Sequence, residues 1–477
     1  MTTVLAIDQG TSGTKAIVVD NAGVIHGLAE YPLHPSYLAD GGVEQDPQAL
    51  LASVLEAGRA ALAQAGGMPI DIVTLANQGE SILAWDETTG RPLSPVIVWQ
   101  DRRSAALCAR LAVHRDHLAA RTGLVLDPYF SAPKMAWLRE SGVRGGVVTT
   151  TDSWILHHLT GAFVTDVSTA SRSLLMPLAE AGWAPDLLDV FGLGREKMPA
   201  VLASDTIAST TRAFGDRDIP VGGLVVDQQA ALLAEHCLQP GDAKCTFGTG
   251  AFLLAHAGEN PQPPQSGLAA SVAWEVRGKR SFCLDGQIYT AGSAVRWLRQ
   301  LGFIQDAKDL DPMAEQAADG VLCVPALAGL AAPWWNPDAR ACFTGLGLAS
   351  GPAEMVRAVL EGIAAQVAEL CRLLGQESGG PLRRLKVDGG LTQSRFLMQA
   401  LADIAQVEVE LFPSQHATPL GAAALARMAL LPDLSIAEAV LPWQPERVFQ
   451  PIWSADRASA FRARWLRAAE LVQDMRN

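Results

Sequence analysis

Paired cysteines, long apolar runs and a surplus of positive charge are all missing from this 477-residue chain. Its seven cysteines (Cys108, Cys237, Cys245, Cys283, Cys323, Cys342 and Cys371) are scattered, odd in number and never spaced as CxxC. That spacing argues against a zinc site or a disulfide framework and predicts reduced thiols in a cytoplasmic protein. No run reaches the roughly 18 apolar residues of a membrane span. The N-terminus has no basic region followed by an apolar stretch, so no signal peptide and no membrane partner are expected. A formal net charge of −13 disfavours nucleic acid and anionic membranes as partners. It leaves room for a small phosphate-bearing ligand, because local backbone amides can outweigh global charge.

What is present is a globular composition, with 49% hydrophobic and 18% charged residues. The length exceeds one ordinary core and predicts two domains of roughly 200–250 residues each. "VLAI" and "AIVVD" read as a first β-hairpin, with Asn21-Ala22-Gly23 turning the chain into a third strand. Asp46 then caps a helix that opens at Pro47 and stops at Gly66-Gly67. "DIVTLANQGES" and "SILAWD" read as strands, and residues 103–215 as mostly helical. "DAKCTFGTGAFLLAHAG" repeats the opening pattern of strand, small hydroxyl-bearing turn, strand. The link between the halves is placed at Glu235–Asp242, which gives domains 1–238 and 239–477. A helix is expected to begin near Ser394, after Asp388-Gly389-Gly390.

The turn inside "IDQGTSGTKA" carries the first chemical signal. Glycines let backbone approach an anion, and consecutive amides form an anion-binding nest. Thr11, Ser12 and Thr14 add hydroxyls and Lys15 adds charge. Asp8 alone would repel phosphate, but it fits if Mg²⁺ lies between, since that ion takes one or two carboxylates plus phosphate oxygens. An ordinary hairpin turn would have similar residues. The Walker A pattern is absent, and this turn joins two strands where Walker A joins a strand to a helix.

Nine segments then fall in one order: "LAIDQGTSGTKAIVVD", "VEQDPQAL", "VIVWQDRRS", "TGLVLDPYFSAPKMAWL", "TDVSTASRSLLM", "VDQQAALL", "AKCTFGTGAFLL", "TAGSAVRWL" and "KVDGG". In these, and over nearly its whole length, the chain resembles the FGGY carbohydrate kinases, and among them the glycerol kinases. The resemblance implies an α/β fold of two ribonuclease-H-like lobes, as in actin-like ATPases, with an active-site cleft between them. It implies transfer of phosphate from ATP, with Mg²⁺, to a hydroxyl of a small polyol or sugar. Relatives of this kind are often dimers or tetramers, so a homo-oligomer is possible on the same ground.

The same resemblance suggests roles for individual residues. Asp227 takes the proton from the attacking hydroxyl, although an Asp before "QQAALLAEH" also has the look of a helix cap. Asp8 and Asp227 hold the metal. Thr11, Ser12, Gly13 and Lys15 face the phosphates from one lobe, and Thr249 and Gly250 from the other. Gly292, Arg296, Gly389, Gly390 and Ser394 complete the nucleotide site. Here Arg296 and Ser394 stand where glycerol kinases carry Gln and Asn. Gly79, Glu80, Tyr129, Asp227, Gln228 and Phe252 form the substrate pocket, with Glu80 accepting hydroxyl protons and Phe252 packing on the carbon chain.

Glycerol kinases carry "NQRE" where this chain has "NQGE". Loss of that arginine as a donor to glycerol would cost about 1.5–3 kcal/mol. It would also open space at Gly79. The sequence therefore favours a four- or five-carbon polyol or ketose, with glycerol itself as the alternative if Arg102, Arg103 or water fills the gap. "AFGDRDIPVGG" is also too short for the glycine- and arginine-containing loop of glycerol kinases controlled by fructose bisphosphate. Two other classes share the fold: an ATPase that works as a binding machine, and a non-catalytic sugar sensor. The set Glu80, Tyr129 and Gln228 argues against the first, and the retained Asp8, Thr11, Asp227 and Thr249 against the second.

Overall fold

The structure, a computed structural model, describes residues 2–260 and 262–474. The first half builds a mixed sheet from β1 (Thr3–Gly10), β2 (Gly13–Asp20), β3 (Ile25–Pro32), β4 (Ile72–Asn77), β5 (Ile207–Thr211), β6 (Ile219–Gly222) and β7 (Val225–Val226). The strand order is β5-β6-β4-β1-β2-β3, with β7 also pairing with β4. β1, β2 and β3 run antiparallel in sequence order, and β4 joins β1 in parallel.

The second half repeats this plan with β8 (Ala243–Phe247), β9 (Ala251–Gly258), β10 (Ala269–Val276), β11 (Lys279–Ile288), β12 (Arg384–Asp388), β13 (Glu408–Leu411) and β14 (Arg447–Phe449). Its order is β10-β11-β9-β8-β12-β13-β14. β8 pairs antiparallel with β9 and parallel with β12. β8, β9 and β12 therefore stand where β1, β2 and β4 stand in the first sheet. The two α/β lobes expected from the sequence are present, each with a glycine-flanked hairpin on its central strand.

Helices cover the sheets because their apolar residues recur every three or four positions. In α1 (Pro47–Gln64), Leu50, Val54, Ala57 and Ala61 are buried, and Asp46 caps the helix by accepting from the Gln48 amide at 2.8 Å. Three short helices follow in chain order: α2 (Val167–Ser171), α3 (Asp227–Ala234) and α4 (Gly292–Gln300). α5 (Pro352–Glu377) buries Val356, Val359, Ile363, Val367, Leu370 and Leu374 in the core of the second lobe. α6 (Arg395–Ala405) starts at Ser394, whose hydroxyl accepts from the Leu397 amide at 3.2 Å. α7 spans Ala417–Leu430.

Residues 103–215 depart from the helical expectation. Helices Ser131–Glu140 and Thr151–Thr160 form there, but so do strands Val147–Thr150, Val164–Asp166 and Ala200–Leu202 as well as β5. The β-branched run "VVTT" lies in a small five-stranded sheet with Ile82–Trp85, where its χ1 stiffness is no penalty. No helix among the described residues is long and apolar enough to cross a membrane.

α7 comes from the second half of the chain but packs on the first sheet and on α3. The crossing with α3 is very close. A Cβ at Gly421 would lie 1.9 Å from the Ala230 carbonyl oxygen. Gly421→Ala must therefore push α3 away. We expect a stability loss of about 1–3 kcal/mol, seen as a lower melting temperature. Because α3 begins at Asp227, a fall in kcat should accompany it.

Candidate active site

The two hairpin turns meet at one cavity of about 190 Å³, lined by Thr11 and Ser12 from the first and by Gly248 and Thr249 from the second. Local hydrogen bonds orient their amides. Gly248 O accepts from the Gly292 amide, and Thr249 O accepts from the Ala291 and Ser293 amides, all at 3.0 Å. In a trans peptide the N–H points opposite to the C=O. The amides of Thr249 and Gly250 therefore turn away from α4, forming a two-donor nest suited to an anion. Thr11 O is likewise held by the Gln45 side chain at 2.8 Å, which turns the Ser12 amide the other way.

Carboxylates surround these turns. Asp227 is the first residue of α3. The cap position belongs to Val226, so Asp227 is not the cap. Its Oδ1 accepts from the Gln228 amide at 2.7 Å. Burial, then the charge of Glu80, pushes its pKa up to about 6. Asp8, near the end of β1, is pushed up to about 7 by burial and by the charge of Asp227, with Lys15 opposing. Asp388, at the end of β12, is raised by burial, and its Oδ1 has no hydrogen-bond partner. Among the described residues, no group of three or more His, Cys, Asp or Glu could hold a metal unaided. Lys244 is fully buried and donates to Gln228 Oε1 at 2.6 Å and Thr246 Oγ1 at 2.7 Å.

The opposite wall of the cavity is suited to an alcohol. Glu80 is 3% exposed and has a φ of 60°, a left-handed value uncommon for a residue with a side chain. The Ser81 amide closes back on Gly79 O at 2.7 Å, so Glu80 is the centre of a strained three-residue turn that presents its carboxylate to the cavity. Burial raises the Glu80 pKa, with Arg172 opposing. Tyr129, Trp99 and Phe252 supply an aromatic wall. Trp99 meets Tyr129 and Phe252 edge-on, each with centroids 5.6 Å apart. Its indole N–H donates to Thr11 Oγ1 at 2.8 Å. Behind Tyr129, the buried Lys134 ammonium donates to the carbonyls of Pro128, Tyr129 and Phe130 at 2.8, 2.5 and 2.6 Å. Apolar surface, carboxylates that can accept hydroxyl protons and a hairpin turn from each lobe thus share one cleft.

Residues 3–234 match the N-terminal domain of the FGGY family of carbohydrate kinases, and residues 243–430 match its C-terminal domain. The chain belongs to this family. A glycerol kinase of Aromatoleum aromaticum is 39% identical over 98% of both chains. One of Bordetella pertussis is 40% identical over 98% of this chain and 96% of its own. Plasmodium falciparum glycerol kinase, solved with ADP, superposes with a TM-score of 0.89 at 28% identity, covering 100% of this chain and 99% of that one. A xylulose kinase from Lactobacillus acidophilus shares the fold, with a TM-score of 0.88 at 21% identity, covering 99% and 98%. The protein is an ATP-dependent carbohydrate kinase of the glycerol kinase type.

In this kinase Thr11, Ser12, Gly79, Glu80, Tyr129, Asp227, Gln228, Thr249 and Phe252 all line the one cavity. Asp8 and the remaining expected residues are not in its lining, although Gly250 directly follows Thr249. Lys15 reaches Gln415 O at 3.4 Å, and Arg296 is exposed on α4. Ser394 caps α6 and donates to Asp311, so its hydroxyl is already committed. The glycines divide by what a Cβ would meet. At Gly13, Gly250 and Gly292 it would strike a backbone oxygen within 2.5 Å. At Gly389, where φ is +95°, it would lie 2.4 Å from Phe247 O. At Gly390 it would meet nothing within 4 Å.

Trp99, Arg172 and Asp285, which have no assigned role in the sequence motifs above, also line the cavity. Arg102 and Arg103 do not fill the gap left by the missing arginine. Arg102 is instead paired with Asp127 at 2.8 Å, and Arg103 with Asp101 and Glu44. The guanidinium beside Glu80 belongs to Arg172. A Cβ at Gly79 would lie 3.3 Å from Val226 Cγ1 and 3.8 Å from Arg172 Nε, so the space there is bounded.

Gly389→Ala should lower the melting temperature, whereas Gly390→Ala should leave it unchanged and raise KM for MgATP in initial-rate assays. Lys134→Met strips the donor from three buried carbonyls, each worth about 1–3 kcal/mol when unsatisfied. It should lower the denaturation midpoint sharply and, through Tyr129, raise KM for the alcohol.

Proposed function

We propose that this kinase transfers the γ-phosphoryl group of ATP to a terminal hydroxyl of glycerol. The observation that carries this reading is the shared cavity of Glu80, Tyr129, Asp227 and the two phosphate turns. Glycerol kinases matching at 39–40% identity over nearly whole chains support glycerol over the longer substrate that Gly79 suggested. Glu80 would accept protons from two substrate hydroxyls, Phe252 would pack on the carbon chain, and Asp227 would take the proton of the attacking hydroxyl. Phosphoryl transfer is mostly positioning and charge stabilisation, so the base need only accept its proton late. The nest at Thr249 and Gly250 and the turn at Thr11 and Ser12 would hold the phosphates from opposite sides. Closure around them would exclude water, which limits futile hydrolysis.

Mg²⁺ suits the acidic side of the cleft. Asp8 and Asp227 disfavour one another's charge, and Asp388 has an unpartnered oxygen nearby. A hard cation bound mainly by phosphate oxygens, with Asp8 and Asp227 direct or through water, would relieve that repulsion. Bound there, it would neutralise charge on the transferring phosphate. The scattered, unpaired cysteines fit a cytoplasmic setting.

A second reading rests on Gly79, which lines the cavity without a side chain. It is a four- or five-carbon polyol or ketose. A coupled ADP-release assay with MgATP separates the two, using glycerol, erythritol, threitol, xylitol, ribitol, erythrulose, xylulose, ribulose and gluconate. Glycerol should give the highest kcat/KM, and EDTA should abolish turnover. Asp227→Asn should lower kcat by roughly 10²–10⁴-fold, the usual worth of a general base. Preference for a longer compound would establish the second reading, and turnover of none would favour a non-catalytic sensor.

A further inference from the structure

Arg172 lies at the end of α2 and is 5% exposed. Its Nε donates to Glu80 Oε1. Nη1 donates to Asp285 Oδ1 at 3.0 Å and to Ser271 Oγ at 3.2 Å. Nη2 donates to Asp285 Oδ2 at 3.3 Å and to Tyr129 Oη at 3.5 Å. All five N–H donors of a guanidinium are thus engaged by protein. Glu80 and Tyr129 belong to the first half of the chain, whereas Ser271 and Asp285 lie on β10 and β11 of the second sheet. Burial alone would depress the Arg172 pKa, but the Asp285 and Glu80 carboxylates outweigh it and keep the group charged.

We infer that Arg172, gripped by Asp285 of the second sheet, is a positioning residue that orients Glu80 and Tyr129 for the alcohol. The inference rests on the alcohol-kinase reading above. Arg172 has no donor left for a substrate, so it acts through its partners. It pins the carboxylate that the strained turn at Glu80 presents. It also occupies a lone pair of the Tyr129 oxygen, which leaves the phenolic hydrogen for a substrate oxygen. The fork geometry of Asp285 fixes the guanidinium plane, as bidentate pairs do. The alcohol pocket is therefore complete only while the second sheet is in place. Lysine cannot reproduce this, having a point charge and no planar fork.

The test is steady-state kinetics on the full chain for Arg172→Lys, Asp285→Asn and the double variant. The alcohol used is whichever the wild type prefers. Each single variant should raise KM for the alcohol at least tenfold and change KM for MgATP less than threefold. The double variant should be no worse than the worse single, because both remove one unit. Asp285→Glu, which keeps the charge, should recover part of the loss. An alcohol KM within twofold of wild type in Asp285→Asn, or a parallel rise in both KM values, would overturn the inference. Should Arg172→Lys fail to fold, Asp285→Asn and Asp285→Glu carry the test alone.

A wild type that prefers another alcohol ends the glycerol reading and leaves this test intact. If no alcohol is turned over, small-angle X-ray scattering decides. Asp285→Asn should then show a larger radius of gyration than the wild type. Equal radii would overturn the inference.

Discussion

The cleft depends on one backbone contact, the crossing of α7 over α3 at Gly421 and Ala230. Only hydrogen fits between them. α7 also packs on the first sheet, and α3 leads directly into the segment before β8. The helix that presents Asp227 is therefore clamped by a helix from the other half of the chain. Both lobes are built on the same strand plan, so each offers its hairpin turn at the corresponding edge. The crossing brings two similar lobes to one cavity, with a hairpin turn from each in its lining.

That arrangement places several acids in poorly solvated positions. Asp8, Asp227 and Glu80 all have raised pKa values, and in each case burial is the first cause. A protein selected for stability alone would replace such groups or pair each with a cation. Here the cations are dealt out unevenly. Arg172 pairs with Glu80, Lys244 donates to Gln228 and Thr246, and both cations only partly offset Asp227 from further away, as Lys15 partly offsets Asp8. Negative charge only partly offset at that spot is unfavourable in the apoprotein and would suit a metal–nucleotide complex.

Much of this was legible in the sequence where chemistry punctuates it. The Asp-Pro start and Gly-Gly end of α1, the two glycine-flanked hairpins and the helix after Ser394 are all local signals. The segment 103–215 was less so, because its short strands pair with residues far away and its amphipathic pieces resemble helix everywhere. Glu80, Tyr129 and Phe252 were reached through resemblance, since no local pattern marks an alcohol pocket. Arg172 escaped because its partners Ser271 and Asp285 lie 99 and 113 positions along the chain, inside ordinary strands. Most of the glycines expected to touch nucleotide prove to be demanded by backbone packing, which a one-dimensional reading cannot separate from ligand contact.

The indole of Trp99 joins two parts that could have been built independently. Its N–H holds the Thr11 hydroxyl, and its ring edge meets both Tyr129 and Phe252. The Trp99 and Tyr129 side of the aromatic wall and the turn at Thr11 thus belong together in the first lobe, whereas Phe252 comes from β9 of the second. Opening and closing of the cleft can change how often the reactants meet. It leaves the distance from the Trp99 side of that wall to that turn unchanged. Choice of which hydroxyl receives the phosphate then becomes a matter of length, measured by a fixed aromatic ruler.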